Sequence, residues 1–241
     1  MKNIKNNCKS LLALCLAVTI FSCNNNAEKT PEPETATDTI VSAPVTAPAA
    51  FTPFDLVEIN HTVKDYATWK KAFDNDSVAR KASGLEFIVI GKGDDNPNNL
   101  TIALTATDVQ KAKSFASAPR LKEVMEKNGV VSKPAISFFH VIRFNPDSKE
   151  KNWVLITHKV KDFDAWVKVF DAEGASSRAS NGLIDVLLSR GIDDSNIVHV
   201  VFDIKDMAKA KARMSSPELK KTMMDAGVEG VPKIEFYTTA E

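Results

Sequence analysis

The chain has 241 residues, with 31 Lys+Arg against 31 Asp+Glu, three cysteines, 7% aromatic and 44% apolar residues. That composition excludes a collagen-like, disordered or disulfide-stapled protein. The balanced charge also argues against nucleic-acid binding, because such domains carry a basic excess that displaces counterions from phosphates.

The N-terminus reads as an address. Lys2, Lys5 and Lys9 precede an apolar run from Leu11 to Ile20, then Phe21, Ser22 and Cys23. A basic segment, a short apolar core and a small residue before a cysteine form an export signal, with a core too short to span a bilayer. Ile20-Phe21-Ser22-Cys23 resembles a bacterial lipobox, although Phe21 is bulkier than usual there; cleavage before Cys23 would leave its thiol to carry lipid. An ordinary secretory signal with a chance cysteine is the alternative. Cys8 and Cys15 leave with the signal of residues 1–22, so the mature chain keeps Cys23 alone and forms no internal disulfide.

Residues 23–53 carry Pro31, Pro33, Pro44, Pro48 and Pro53 and few large apolar side chains. Proline blocks helix and ladder hydrogen bonds, so this stretch is expected to be a tether, reaching up to ~90 Å in polyproline-like form. The remaining chain is neutral, which assigns membrane attachment to lipid rather than to a polybasic surface. The expected location is the cell envelope, at the outer membrane.

From residue 54 onward the chain is one unit written twice. A shift of 97 superposes His61-Thr-Val-Lys-Asp-Tyr-Ala-Thr-Trp69 on His158-Lys-Val-Lys-Asp-Phe-Asp-Ala-Trp166, and Phe73-Asp74 on Phe170-Asp171. After one inserted residue the shift becomes 98: Arg80 meets Arg178, Gly84 meets Gly182, and Lys111-Ala112-Lys113 meets Lys209-Ala210-Lys211. Such persistence identifies a tandem duplication, with repeats at 54–147 and 148–241.

In the first repeat Val57, Ile59, His61 and Val63 alternate with polar residues, which predicts a strand. Asp65 is a plausible N-cap for a helix running to Gly84, with Tyr66, Trp69, Phe73 and Arg80 on one face. Leu85 to Ile90 and Leu100 to Ala106 are expected strands joined by the turn-rich Gly93 to Asn98. Asp108 caps a second helix broken at Pro119, Gly129 closes it, and a strand runs from Ala135 to Phe144. Asp162, Gly182, Asp206, Pro217 and Gly227 punctuate the second repeat in the same way.

The order βαββαβ is the ferredoxin-like motif, an α+β unit whose sheet has one face covered by helices and one face bare, so two units must pair. The Asp65-Tyr-Ala-Thr-Trp-Lys-Lys-Ala-Phe-Asp74 block, the Arg and Gly after it, and the Pro-x-Leu-Lys-x-x-Met-x-x-x-Gly-Val block resemble the dimeric α/β-barrel superfamily. They are similar in particular to its antibiotic-biosynthesis-monooxygenase-like and cyclase-like small domains. The resemblance implies that two ferredoxin-like repeats close into a barrel, here as a pseudo-dimer within one monomeric chain. Its motifs are structural and do not specify a reaction.

Candidate site residues recur in both halves. His61 and His158 are read chiefly as satisfied core histidines, with ligand contact or proton transfer as the functional alternative. Trp69 and Trp166 have helix-core spacing and could also supply apolar contact area to a ligand. Arg80 and Arg178 fall near the apolar face, where a guanidinium needs a carboxylate, a helix end or an anionic ligand. His140 and His199 have threonine at the matching positions of the other repeat, Thr238 and Thr101, so either could act in one half only.

Asp94, Asp95, Asp193 and Asp194 lie on the hairpin turns and lack the spacing of a calcium loop. No metal-ligand spacing, nucleophile elbow, P-loop or dinucleotide fingerprint is present, so no metal and no cofactor is expected. Haem, bound by some relatives of the resembled fold, would need an axial histidine in a large apolar pocket. Three readings follow: a lipoprotein binding a small apolar or anionic molecule, or a protein partner, without catalysis; a cofactor-free monooxygenase- or cyclase-like enzyme with a His/Arg site; and a structural envelope protein.

Overall fold

The computed structural model describes residues 51–240. The signal, the Cys23 lipidation site and the tether up to residue 50 lie outside the described residues. In the first repeat β1 (Phe54–Thr62) leads through α1 (Tyr66–Asn75) and α2 (Ser77–Ala82) to β2 (Leu85–Gly93) and β3 (Asn99–Ala106). The repeat ends with α3 (Val109–Ala116), α4 (Pro119–Lys127) and β4 (Ala135–Phe144). The second repeat runs β5 (Asn152–Val160), α5 (Phe163–Glu173), α6 (Ala175–Ser180), β6 (Leu183–Gly191) and β7 (Ile197–Ile204), then α7 (Met207–Met214), α8 (Pro217–Asp225) and β8 (Val228–Thr239).

The expected caps form. The side chains of Asp65 and Asp162 accept from the backbone N–H groups of Thr68 (2.8 Å) and Ala165 (2.7 Å), satisfying donors that the first helical turn leaves free. Asp108 and Asp206 do the same for α3 and α7. Gly182 shows why the helix–strand turn demands glycine. Its φ is +78°, and a Cβ there would lie 2.7 Å from the Asp206 carbonyl oxygen.

One expectation is corrected. The first helix does not run unbroken to Gly84: it divides at Asp76, and its counterpart divides at Gly174, which has φ +78°. The residue inserted between the repeats lengthens α5 to 11 residues against 10 in α1. The break reorients the short second piece, so Arg80 and Arg178 are buried by tertiary position rather than by a continuous helical face.

Each repeat forms a four-stranded antiparallel sheet, ordered β4-β1-β3-β2 and β8-β5-β7-β6. The sheets join edge to edge at β2–β8 and β4–β6, closing one eight-stranded barrel. Closure removes the four exposed edges that two separate sheets would present. Alternate residues then point in opposite directions. Val57, Ile59, Ile102 and Leu104 pack outward with Trp69, as Val154, Ile156, Val200 and Phe202 do with Trp166. Leu56, Phe139, Val141 and Leu187 point into the shared lumen, as do Trp153, Leu155 and Tyr237.

Helix lysines also bridge the halves: Lys113 of α3 pairs with Asp193 on the second hairpin, and Lys211 of α7 pairs with Asp94 on the first at 2.7 Å. The hairpin aspartates therefore hold inter-repeat ion pairs in addition to shaping turns. No helix among the described residues is long and apolar enough to cross a membrane.

Candidate functional site

The six repeated residues converge on two clefts between helices and sheet, one per repeat. His61 of β1 and His158 of β5 are 6% and 5% exposed, on the outward face that alternation assigned them. Each ring lies 5.3 Å from an indole, His61 against Trp69 and His158 against Trp166. The tryptophans stack in turn on Phe73 and Phe170, both at 5.1 Å between ring centroids. The i, i+4 spacing on α1 and α5 produces those stacks, so Trp69 and Trp166 are at once helix core and cleft wall.

The histidines are not satisfied by protein. Neither ring nitrogen of His61 or of His158 has a hydrogen-bond partner. Buried polar groups are almost always paired, and leaving one unpaired costs about 1–3 kcal/mol. Burial disfavours the imidazolium and pushes both groups down to a pKa of about 4, so both are neutral at pH 7.

The arginines differ between halves. Arg178 grips Asp185 with two hydrogen bonds, Nε–Oδ1 at 2.7 Å and Nη2–Oδ2 at 2.6 Å, and donates to the Phe170 carbonyl at 2.8 Å. Glu173 lies 3.6 Å away, and the Phe170 ring sits beneath the guanidinium. Arg80 donates to the Phe73 carbonyl and stacks on the Phe73 ring at 3.6 Å, without an ion pair among the described residues. The repeat counterpart of Asp185 is Phe87, which explains the difference. Burial accordingly lowers the pKa of Arg80, an effect that Asp76 and Asp74 oppose.

The clefts are small, about 50 Å³ beside His61 and about 70 Å³ beside His158. Their walls are mostly apolar; beside the His and Arg stand Asp76 and Asn128 in the first and Glu173, Arg213 and Thr222 in the second, and methionines (Met125 in the first, Met214 and Met223 in the second) form part of each. Haem does not fit: each space holds only a few water-sized volumes, and a porphyrin would have to displace the helices.

The other two histidines sit elsewhere. His140 is half-exposed and paired with Asp55 at 2.8 Å, across the β1–β4 ladder. His199 points into the lumen, where its Nε2 lies 3.3 Å from Glu58 and its Nδ1 3.0 Å from the Thr157 hydroxyl. Its ring stacks on Phe139 at 4.1 Å. Sequence reading passed over Glu58 and Thr157. Their signal was a departure from the repeat, since Glu58 stands where the other half has Leu155, and Thr157 where it has Asn60. No cluster of three or more His, Cys, Asp or Glu suited to a metal is found among the described residues.

No protein-family model and no curated protein matches the chain. Solved structures do. A monooxygenase candidate from Fusobacterium nucleatum aligns with TM-score 0.52 and 13% identity over 78% of this chain and 93% of its own. A monooxygenase candidate from Lactobacillus acidophilus aligns with TM-score 0.50 and 16% identity, covering 78% and 94%. An anthrone oxidase-like protein gives 0.51 and 14%, covering 78% and 92%. Because 78% of this chain far exceeds one repeat, each alignment runs across both halves. Such identities establish architecture and leave chemistry open. The chain thus has the ferredoxin-like dimeric α/β-barrel fold, with both halves of the barrel supplied by one polypeptide.

Proposed function

We propose that this protein is a lipid-anchored envelope protein whose barrel unit binds a small, largely apolar molecule in its helix–sheet clefts without converting it. The observation that supports binding is the pair of buried, unpartnered imidazoles in apolar walls: a ligand hydroxyl, amide or carboxyl proton would find an acceptor there that the protein itself leaves open. Methionine side chains adapt to irregular ligands, so Met214 and Met223 can yield space at the second cleft. Non-catalytic binding is favoured there because Arg178, the group expected to steady an anionic intermediate, is already held by Asp185. The first cleft keeps the enzyme reading open, since Arg80 has no carboxylate and His61 is a neutral base beside it.

Native mass spectrometry and histidine-resolved NMR test this reading. A bound species should accompany protein purified from its own envelope and vanish in His158→Phe, and phenol should shift the His158 imidazole signals of the emptied protein. Turnover of the bound species by wild type but not by His61→Phe would support the enzyme instead. A ligand-free protein whose imidazole signals ignore phenol would retire the cleft as a site.

A further inference from the structure

A cavity larger than either cleft lies in the lumen, away from both. It measures about 460 Å³, within the range of small-molecule sites, and opens at one end of the barrel. Leu56, Ile88, Trp153, Leu155, Leu187 and Val201 form its wall, Glu58 and His199 its floor, and the connector between the repeats its rim. Ile88 is skipped by the register shift of β2 against β3, and its counterpart Val186, also in the wall, by that of β6 against β7. These matched bulges turn extra side chains toward the chamber.

The lumen is where the duplicated halves have diverged. The outward faces keep His, Trp and Arg in both repeats, whereas the inward positions pair Glu58 with Leu155, Thr101 with His199, Thr105 with Asp203 and Leu56 with Trp153. Divergence assembles a polar floor from both halves. Glu58 accepts from Asn60 Nδ2 at 2.6 Å and faces His199 Nε2 at 3.3 Å, while Thr157 occupies His199 Nδ1. Burial disfavours the charged form of His199 despite the nearby carboxylate. A carboxylate has about four acceptor sites, and the described contacts leave some of them open toward the chamber. Asp203, 4% exposed, adds a second carboxylate near the rim, where it accepts from Ser148 Oγ at 2.5 Å and pins the connector.

We infer that the barrel lumen is a separate binding site, for an uncharged molecule of aromatic size that carries a hydroxyl or amino donor. Its apolar body lies against Trp153 and its donor meets Glu58. Anions are rejected, because two buried carboxylates line the space and the lysines of the rim stand in solvent. The site does not depend on the cleft reading, as no residue of either cleft lines the chamber.

Isothermal titration of the mature chain with 2-naphthol, 2-naphthylamine and 2-naphthoate tests this. One equivalent of naphthol or naphthylamine, two-ring probes too large for the clefts of about 50 and 70 Å³, should bind in the lumen, and naphthoate at least about tenfold more weakly. Ala103→Phe, which projects a ring into the chamber, should abolish binding while His158→Phe leaves it intact. Glu58→Gln, which exchanges the carboxyl for an amide and keeps an acceptor, should narrow the discrimination against naphthoate to about threefold or less. Should Ala103→Phe fail to fold, Trp153 fluorescence in a Trp69→Phe/Trp166→Phe background gives an independent readout and should follow the same naphthol isotherm. Equal affinity for naphthol and naphthoate, silence of Trp153, or loss of binding in His158→Phe would overturn the inference.

Discussion

Asp185 holds Arg178 in a bidentate grip, whereas Phe87 occupies the matching position of the first repeat and gives Arg80 no such partner. Two copies of one motif thus bury the same guanidinium against a ring face and a carbonyl, and only the second adds a carboxylate. Removing one partner of a buried pair costs about 3 kcal/mol, whereas a guanidinium without a counter-charge loses little when replaced by an apolar chain of similar length. Urea unfolding at pH 7 should therefore show about 3 kcal/mol lost in Arg178→Met and about 1 kcal/mol or less in Arg80→Met. Equal losses would contradict the assigned difference.

Acid should destabilise the barrel through its histidines. His61 and His158 fall to about 4 in the folded state from 6.5, so between those values the unfolded chain binds more protons than the folded one. Stability then rises with pH across that window, is fully present above about 6.5, and is lost on acidification, by about 3 kcal/mol per group at the limit. His199, lowered by burial, acts in the same direction. Urea midpoints measured from pH 7 to pH 4.5 should decline steeply, and His158→Leu should flatten the slope. A constant midpoint down to pH 5 would be incompatible with two buried, unpartnered imidazoles.

Gly91 has no room for a side chain. A Cβ there would lie 2.4 Å from Trp153 Cζ2 and 2.9 Å from Thr101 Cγ2, near the β2–β8 seam. Gly91→Ala should cost about 1–3 kcal/mol through overpacking and shift the Trp153 emission. Wild-type stability with unchanged fluorescence would show that the indole can move aside.

Each half leaves two sheet edges and one apolar face open once its partner is removed. Light scattering should find residues 51–241 monomeric, and residues 51–147 alone dimeric or aggregated. A soluble, stable, monomeric half would show that the shared lumen is not needed for folding.

Cys23→Ala should release the protein from the membrane fraction or leave it unprocessed, and mass spectrometry of wild type should find a diacylglyceryl-modified Cys23 as the first residue. An unmodified N-terminus elsewhere would remove the lipid anchor.

The amino-acid sequence by itself determined the duplication and the βαββαβ order, because these follow from local periodicity, capping aspartates and an offset between the repeats that changes only once, from 97 to 98, while the barrel was implied by the resemblance to the dimeric α/β-barrel superfamily. It also determined that His61 and His158 lie on the covered face of their strands and Trp69 and Trp166 on the apolar face of the following helices, since period two and helical spacing report which face is buried. It could not show what lies across a closed sheet. That Glu58 meets His199, that Arg178 has a carboxylate while Arg80 has none, and that a chamber remains between Trp153 and Leu56 were decided only when edges far apart in the chain paired. The helix breaks at Asp76 and Gly174 were set at the same level: packing over the barrel, rather than helical period, places Arg80 and Arg178. Local patterns record burial, but contact between two buried side chains depends on the closure of the whole barrel.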